Sequence, residues 1–215
     1  MTPSPKPKRS YDSRRRQAQA GQTRRQILEA ARAIFAERGY AGATIEAIAQ
    51  QAGVAPETVF AVFGNKRTVL ASLIDVSVGG DDQPTPLLQR PGPRSVLEEH
   101  DPYRQVHLFA RDIAGILERV APLFEIMRMA AKTEPEIAGL LKSLLEERHR
   151  NLGLFVQNLS AHARLRSGLD PAQATDIVWG VASPEVFSLM IVHRGWSRER
   201  FESWLGDTLA RLLLP

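Results

Sequence analysis

Two sets of residues have types and spacings that could do chemistry. The first is a cluster of cations near the start of the chain. Up to Arg25 it holds Lys6, Lys8, Arg9, Arg14, Arg15, Arg16, Arg24 and Arg25 against Asp12 alone. The formal net charge of the whole chain is only +4, so everything after Arg25 is net acidic. Attraction to polyanions is therefore concentrated in this segment. The second set is Glu146-x-x-His149, a carboxylate and an imidazole one helical turn apart. That is half the ligand set of a carboxylate di-iron centre, which also needs a second Glu-x-x-His and further glutamates on facing helices. Neither His107, His162 nor His193 has a glutamate three positions earlier, so the pair reads as a solvated charged turn.

Other chemistries find no footing. The chain has no cysteine, which removes disulfides, thiolate metal sites and thiol nucleophiles. It carries no His-Glu-x-x-His, no phosphate-binding glycine loop and no nucleophile elbow. An enzyme is not expected, and neither a cofactor nor a metal. No apolar run approaches the roughly 18 residues of a membrane helix. The cationic start lacks the apolar segment of a secretory signal. The expectation is a soluble cytoplasmic protein with no membrane partner.

The elements that would position a recognition surface lie between Thr44 and Leu70. Ile45, Ile48 and Ala49 put apolar groups on one face of a short helix, and Gly53 supplies its stop. Pro56 follows where a second helix would begin, since its missing N–H costs nothing there. Val59, Val62 and Phe63 are read as inward, leaving Pro56, Glu57, Thr58 and Ala61 outward. Two short helices across a glycine-containing turn, the second with a small-residue outer face, form the helix-turn-helix pattern of DNA-binding proteins.

The remaining chain is read as helical throughout. Residues 1–22, rich in Pro, Ser and Arg, are expected to be a disordered basic arm. Thr23-Arg-Arg-Gln26 matches a capping box for a helix with Ile27, Ala31, Ile34 and Phe35 on one face, ended by Gly39. Residues 23–78 then form the DNA-binding domain with a connecting fourth helix. The Gly-, Pro- and Asp-rich segment 79–94 reads as a linker and domain boundary. Residues 95–215 form a helical domain punctuated by Asp101-Pro102, Pro122, Pro135, Asp170-Pro171 and Ser183-Pro184. The fold class is all-α: an N-terminal three-helix helix-turn-helix domain and a C-terminal helical effector and dimerisation bundle.

These features together resemble the tetracycline-repressor (TetR/AcrR) family of one-component transcriptional regulators. The likeness rests on the run from Thr23 to Ala31, Phe35-Ala-Glu-Arg-Gly-Tyr40, Thr44-Ile-Glu-Ala-Ile-Ala49, Ala52-Gly-Val54, Thr58-Val-Phe60 and Phe63-Gly-Asn-Lys66. Two departures matter. Ala55 stands where the family commonly has a capping serine, a bond worth ~1 kcal/mol. Phe60 stands where a tyrosine is usual, and it cannot hydrogen-bond a phosphate.

The resemblance implies that residues 56–62 enter the major groove of double-stranded DNA while Thr44 and Lys66 hold phosphates on either side. Thr58 would be the main base reader, through its hydroxyl or its methyl against a thymine methyl. Ala55, Pro56 and Ala61 could make only apolar contacts, Phe60 could stack, and Glu57 could accept from a cytosine amine. With no Arg, Asn or Gln on that surface, much of the grip is assigned to the arm, through Arg14, Arg15 and Arg16. A ligand-responsive repressor on a palindromic operator is the leading reading; a low-specificity DNA binder without an effector is the alternative. A small apolar or amphipathic effector would be lined by Phe109, Ile113, Phe124, Met127, Met129, Phe155 and Trp179. A homodimer would form through the last two helices, by Val186, Phe187, Met190, Ile191, Trp204, Leu205 and Leu209.

Overall fold

The computed structural model describes the chain from Tyr11 to Pro215, with side chains from Arg15 onward. Among the described residues all regular structure is helical. The order is α1 (Tyr11–Gly42), α2 (Ile45–Ala52), α3 (Pro56–Phe63), α4 (Lys66–Gly79), α5 (Pro91–Glu98), α6 (Pro102–Ala130), α7 (Pro135–His162), α8 (Pro171–Val181), α9 (Pro184–Ser188) and α10 (Arg198–Leu213). A 3-10 turn sits at Leu87–Gln89, and a π-helical segment at Leu189–His193 continues α9. Contacts divide the chain into two compact units, one ending at Leu73 and one running from Ile74 to Pro215. The boundary thus falls within α4 and not in segment 79–94.

In the first unit, α1 begins well upstream of Thr23, which is mid-helix and not a cap. Residues 11–22, read from the sequence as part of a disordered arm, are helical. Arg, Gln and Ala dominate 14–20, and such residues extend an already nucleated helix at little cost even without apolar partners. At Gly39 the backbone takes φ 65° and ψ −176°, which breaks the helical path before Tyr40. Tyr40 then stacks on Phe35 with ring centroids 5.9 Å apart. Ile27, Ala31, Phe35, Ile48, Val59 and Phe63 are buried together in this small unit. Val62, expected inward, is instead 38% exposed. Val59 and Phe63 are one turn apart and take the inward line of α3, which rotates Val62 off it.

In the second unit, α6 packs on α10, α7 and α9, and α8 packs on α7 and α10. Side-chain caps open most of these helices. Asp101 accepts the Arg104 N–H, Asp170 and Gln173 form a capping box, and Ser183 and Ser197 cap α9 and α10. Pro122 was read as punctuation, yet α6 runs through it. Its ring is exposed, so the helix gives up one N–H bond without a buried clash. The stretch Pro171–His193 has the length and mean hydropathy, 1.3, of a membrane span, although the sequence reading singled out no such run. Here it is interrupted at Ala182 and packed against α6, α7 and α10.

Segment 79–94 is folded, and one guanidinium organises it. Arg90 Nη1 donates to the Gly79 carbonyl at 2.7 Å and to Asp81 at 2.8 Å, while Nη2 donates to the Gln83 carbonyl at 3.0 Å. Its Nε donates to the Thr85 carbonyl at 3.2 Å. Arg90 holds the Asp81 carboxyl below the ordinary carboxylate range, chiefly through that hydrogen bond. A loop with few apolar residues is thereby ordered by polar satisfaction of its own carbonyls.

Candidate nucleic-acid interface and ligand cavity

The face of α3 is built from local rules. Ala55 is the N-cap with φ −73° and ψ 146° and makes no side-chain bond; Pro56 occupies the first turn and Glu57 favours the positive end of the helix. Val59 and Phe63 are drawn into the core, which turns Glu57, Phe60, Ala61 and Val62 outward. Phe60, a large apolar group, is 48% exposed. Thr58 and Pro56 are half-buried, at the margin of that face. The surface is apolar with one carboxylate and one hydroxyl, and offers no cation of its own.

The two groups expected to flank α3 behave differently. Thr44 caps α2: its Oγ1 accepts the Ala47 N–H at 3.1 Å, and the residue is exposed. A hydroxyl that accepts in this way still has its own proton to donate, so capping and phosphate contact are compatible. Lys66 is drawn inward. Its Nζ donates to the carbonyls of Tyr40 at 2.7 Å and Ala43 at 2.9 Å, and lies 4.2 Å from the centroid of the Tyr40 ring. The ammonium binds the start of α4 to the connection that leads into α2, a positioning task the sequence reading did not assign to it. Arg15 and Arg16 are exposed on α1, and the Arg14 side chain lies outside the described residues. Arg24 lies over the Phe63 ring at 4.7 Å, bracing α1 on the end of α3.

The second unit holds an apolar cavity of about 170 Å³. Phe109, Ile113, Phe124 and Phe155, all expected from the sequence, line it, with Phe109 and Phe155 stacked at 4.1 Å. Met127, Met129 and Trp179 do not. Met127 is fully enclosed in the core, and Met129 points to solvent at 62% exposure. Trp179 stays outside the cavity, but its carbonyl and ring hold a residue that lines it. Helical spacing identifies an apolar face without saying what that face meets, and this separates the four residues that line the cavity from the three that do not.

Polar groups in the wall were not anticipated. Arg148 Nη2 donates to the carbonyls of Trp179 and Ala182, each at 2.8 Å, and its charge lies 5.5 Å from the Trp179 ring centroid. Its Nε is buried without an acceptor. Burial pulls this guanidinium down to about 10, with the charge of Arg128 adding to the effect. Asp112, on α6, is pushed up to about 6 by burial against the opposing pull of Arg119. The last turns of α4, through Ile74, Asp75 and Val78, complete one side, and Leu87 and Leu88 of the Arg90-ordered loop also take part. The signal for Arg148 was in the sequence only as an arginine on an otherwise helical pattern.

The Glu146/His149 pair is spread over the surface. His149 Nε2 lies 2.9 Å from Asp176 Oδ1, and Glu146 faces Lys142 one turn away. The residues expected at a dimer interface also divide. Leu205 and Leu209 are fully buried, and Phe187 packs on Phe201 at 5.0 Å, so these three belong to the core of the chain itself and have no area to give a partner. Val186, Met190, Ile191 and Trp204 are half-buried, while Leu189 and Val192, which the sequence reading left out, are 54% and 71% exposed.

A braced helix-turn-helix with an outward second helix, together with a helical unit enclosing an apolar cavity, defines a DNA-binding regulator of the one-component kind. Comparison with known proteins agrees. Residues 27–73 match the family model of bacterial regulatory proteins of the tetR family. The chain is 30% identical over 154 residues to the HTH-type transcriptional repressor BepR of Brucella suis, over 70% of this chain and 71% of that protein. The solved structure of the fatty acid degradation regulator FadR from Bacillus halodurans shares the fold at a TM-score of 0.69 and 20% identity, covering 87% of this chain and 94% of that one. FadR from Bacillus subtilis, solved in complex with stearoyl-CoA, does so at 0.62 and 21%, covering 86% and 96%. The chain belongs to the tetR family of bacterial regulatory proteins and is a DNA-binding transcriptional regulator.

Proposed function

We propose that this chain is a ligand-responsive repressor that binds a palindromic operator as a homodimer and releases it when a small amphipathic molecule fills the cavity. The observation that carries this reading is the composition of the cavity wall. Ile74, Asp75 and Val78 of α4 line it. α4 continues unbroken to Lys66, whose ammonium holds the Tyr40 and Ala43 carbonyls just before α2. A ligand that displaces the last turns of α4 acts on the helix whose first residue, Lys66, is tied to the entry of the helix-turn-helix. The named function of BepR as a repressor and the acyl ligand of Bacillus subtilis FadR support the same reading.

One helix-turn-helix reads one half-site, so two-fold pairing of the chain is the way to cover a palindrome. The exposed apolar surface around Leu189 and Val192, with Met190, Ile191 and Trp204 beside it, is the face we assign to that pairing. Selection of bound DNA from a random pool, run with and without ligand, tests the whole reading. An enriched inverted repeat, bound by two chains, is expected. Enrichment of an isolated half-site, or of no sequence at all, would overturn it.

A further inference from the structure

We infer that the ligand of the cavity is a carboxylate with an apolar tail, its head group seated on Arg148. The inference rests on the ligand-responsive reading above and names the chemistry of that ligand. The walls from Phe109, Ile113, Phe124 and Phe155 suit a hydrocarbon or an aromatic ring. Arg148 is the exception. Among the described residues no carboxylate pairs with it; it is held by two carbonyls and the face of Trp179, and its Nε–H is buried with nothing to donate to. Carbonyl dipoles orient a guanidinium but leave its charge uncompensated, and a buried unpaired charge is costly. A ligand carboxylate would supply both the missing acceptor and the missing charge. A neutral ligand supplies neither.

The opposite end of the requirement is set by Asp112, which lines the same cavity and reaches no ion pair among the described residues. Its charge repels an anionic ligand in that cavity, a dianionic group more strongly than a single carboxylate.

The test uses the full-length protein and three probe pairs, followed by calorimetry and thermal shift: benzoate against benzyl alcohol, hexanoate against hexanol, and octanoate against octyl phosphate. The carboxylates are expected to bind about tenfold to a hundredfold more tightly than their alcohols, the range for a hydrogen bond to a charged group. Arg148→Gln should erase that preference while leaving alcohol binding in place. Should that variant fail to fold, Asp112→Asn offers a second route, since removing the neighbouring negative charge should tighten carboxylate binding and leave the alcohols unchanged. Alcohols binding as well as carboxylates, or octyl phosphate binding more tightly than octanoate, would each overturn the inference while leaving the effector reading intact. No binding by any probe would overturn both.

Discussion

Arg119 of α6 donates from Nε to the Ser77 carbonyl of α4 at 2.7 Å, with Nη2 reaching the Val78 carbonyl at 3.4 Å. Arg90 takes the next carbonyl, that of Gly79, at 2.7 Å. The last carbonyls of a helix have no intrahelical partner and carry its negative end, so two guanidinium groups there satisfy both hydrogen bonding and the dipole. The final turn of α4, which also lines the cavity, is therefore latched to α6 and to the loop that follows it. Replacing Arg119 by Met should destabilise the protein by about 1.5–3 kcal/mol, the range for a hydrogen bond to a charged group. If α4 is the transmitting element, the same variant should still bind operator but respond weakly to ligand. Denaturant unfolding and DNA-release titrations read the two effects separately.

Lys66 supplies a sharper distinction. A lysine on a phosphate contributes about −0.9 to the slope of log affinity against log salt, whereas a lysine that holds backbone carbonyls contributes nothing to it. With its Nζ bonded to Tyr40 and Ala43, Lys66→Met should lower both stability and operator affinity and leave the salt slope unchanged. A slope shallower by about one unit would instead assign Lys66 to the phosphate backbone.

Ala55 offers a gain. Its extended backbone already has the geometry of a capping residue, and only the side-chain acceptor is missing. Ala55→Ser should stabilise the protein by ~1 kcal/mol, seen as a higher midpoint in urea with an unchanged slope. A midpoint that does not move would show that Pro56 and Glu57 already satisfy the first turn of α3.

The arm should carry the electrostatics. α3 exposes Glu57 and no cation, while Arg15 and Arg16 are exposed on α1. Removing residues up to Arg16 takes away Lys6, Lys8, Arg9, Arg14, Arg15 and Arg16. The salt slope of operator binding should flatten by about two to four units, and affinity at physiological salt should fall with it. An unchanged slope would place the phosphate contacts elsewhere.

Asp112 predicts a pH dependence. Its carboxyl is raised from 3.8 to about 6 in the fold, so between those values the folded chain keeps a proton that the unfolded chain has released. Folded protein then binds more protons, and stability falls as pH rises through that window and stays lower above it. Asp112→Asn should therefore stabilise the protein at pH 7.5, by ~1 kcal/mol after allowance for partial exposure. That corresponds to a rise of about 2–4 °C in Tm for a chain of this size. The difference should disappear below pH 3.8, where both states are protonated.

What the residues alone determined is chiefly local. Gly53 at φ 68°, Thr44 and Asp170 as caps, and Pro56, Pro102 and Pro171 at helix starts each act through their own backbone or the next turn, so their types and order were enough to place the elements. The helix-turn-helix and its outward Glu57 and Ala61 follow from those rules plus the spacing of Val59 and Phe63. Tertiary packing decided the rest. Helical periodicity marks a face but cannot say whether it meets a core, a cavity or water, which is why Phe155 lines the cavity, Met127 is core and Met129 is bare. The same limit hid Leu205 and Leu209 in the core. Charged side chains were the least legible, because their partners are carbonyls distant in sequence. Lys66 reaches back to Tyr40, Arg119 to Ser77, and Arg148 forward to Trp179 and Ala182. A cation in the sequence shows only its charge; whether it grips DNA, latches a helix or waits for a ligand depends on which desolvated acceptors the fold brings to it.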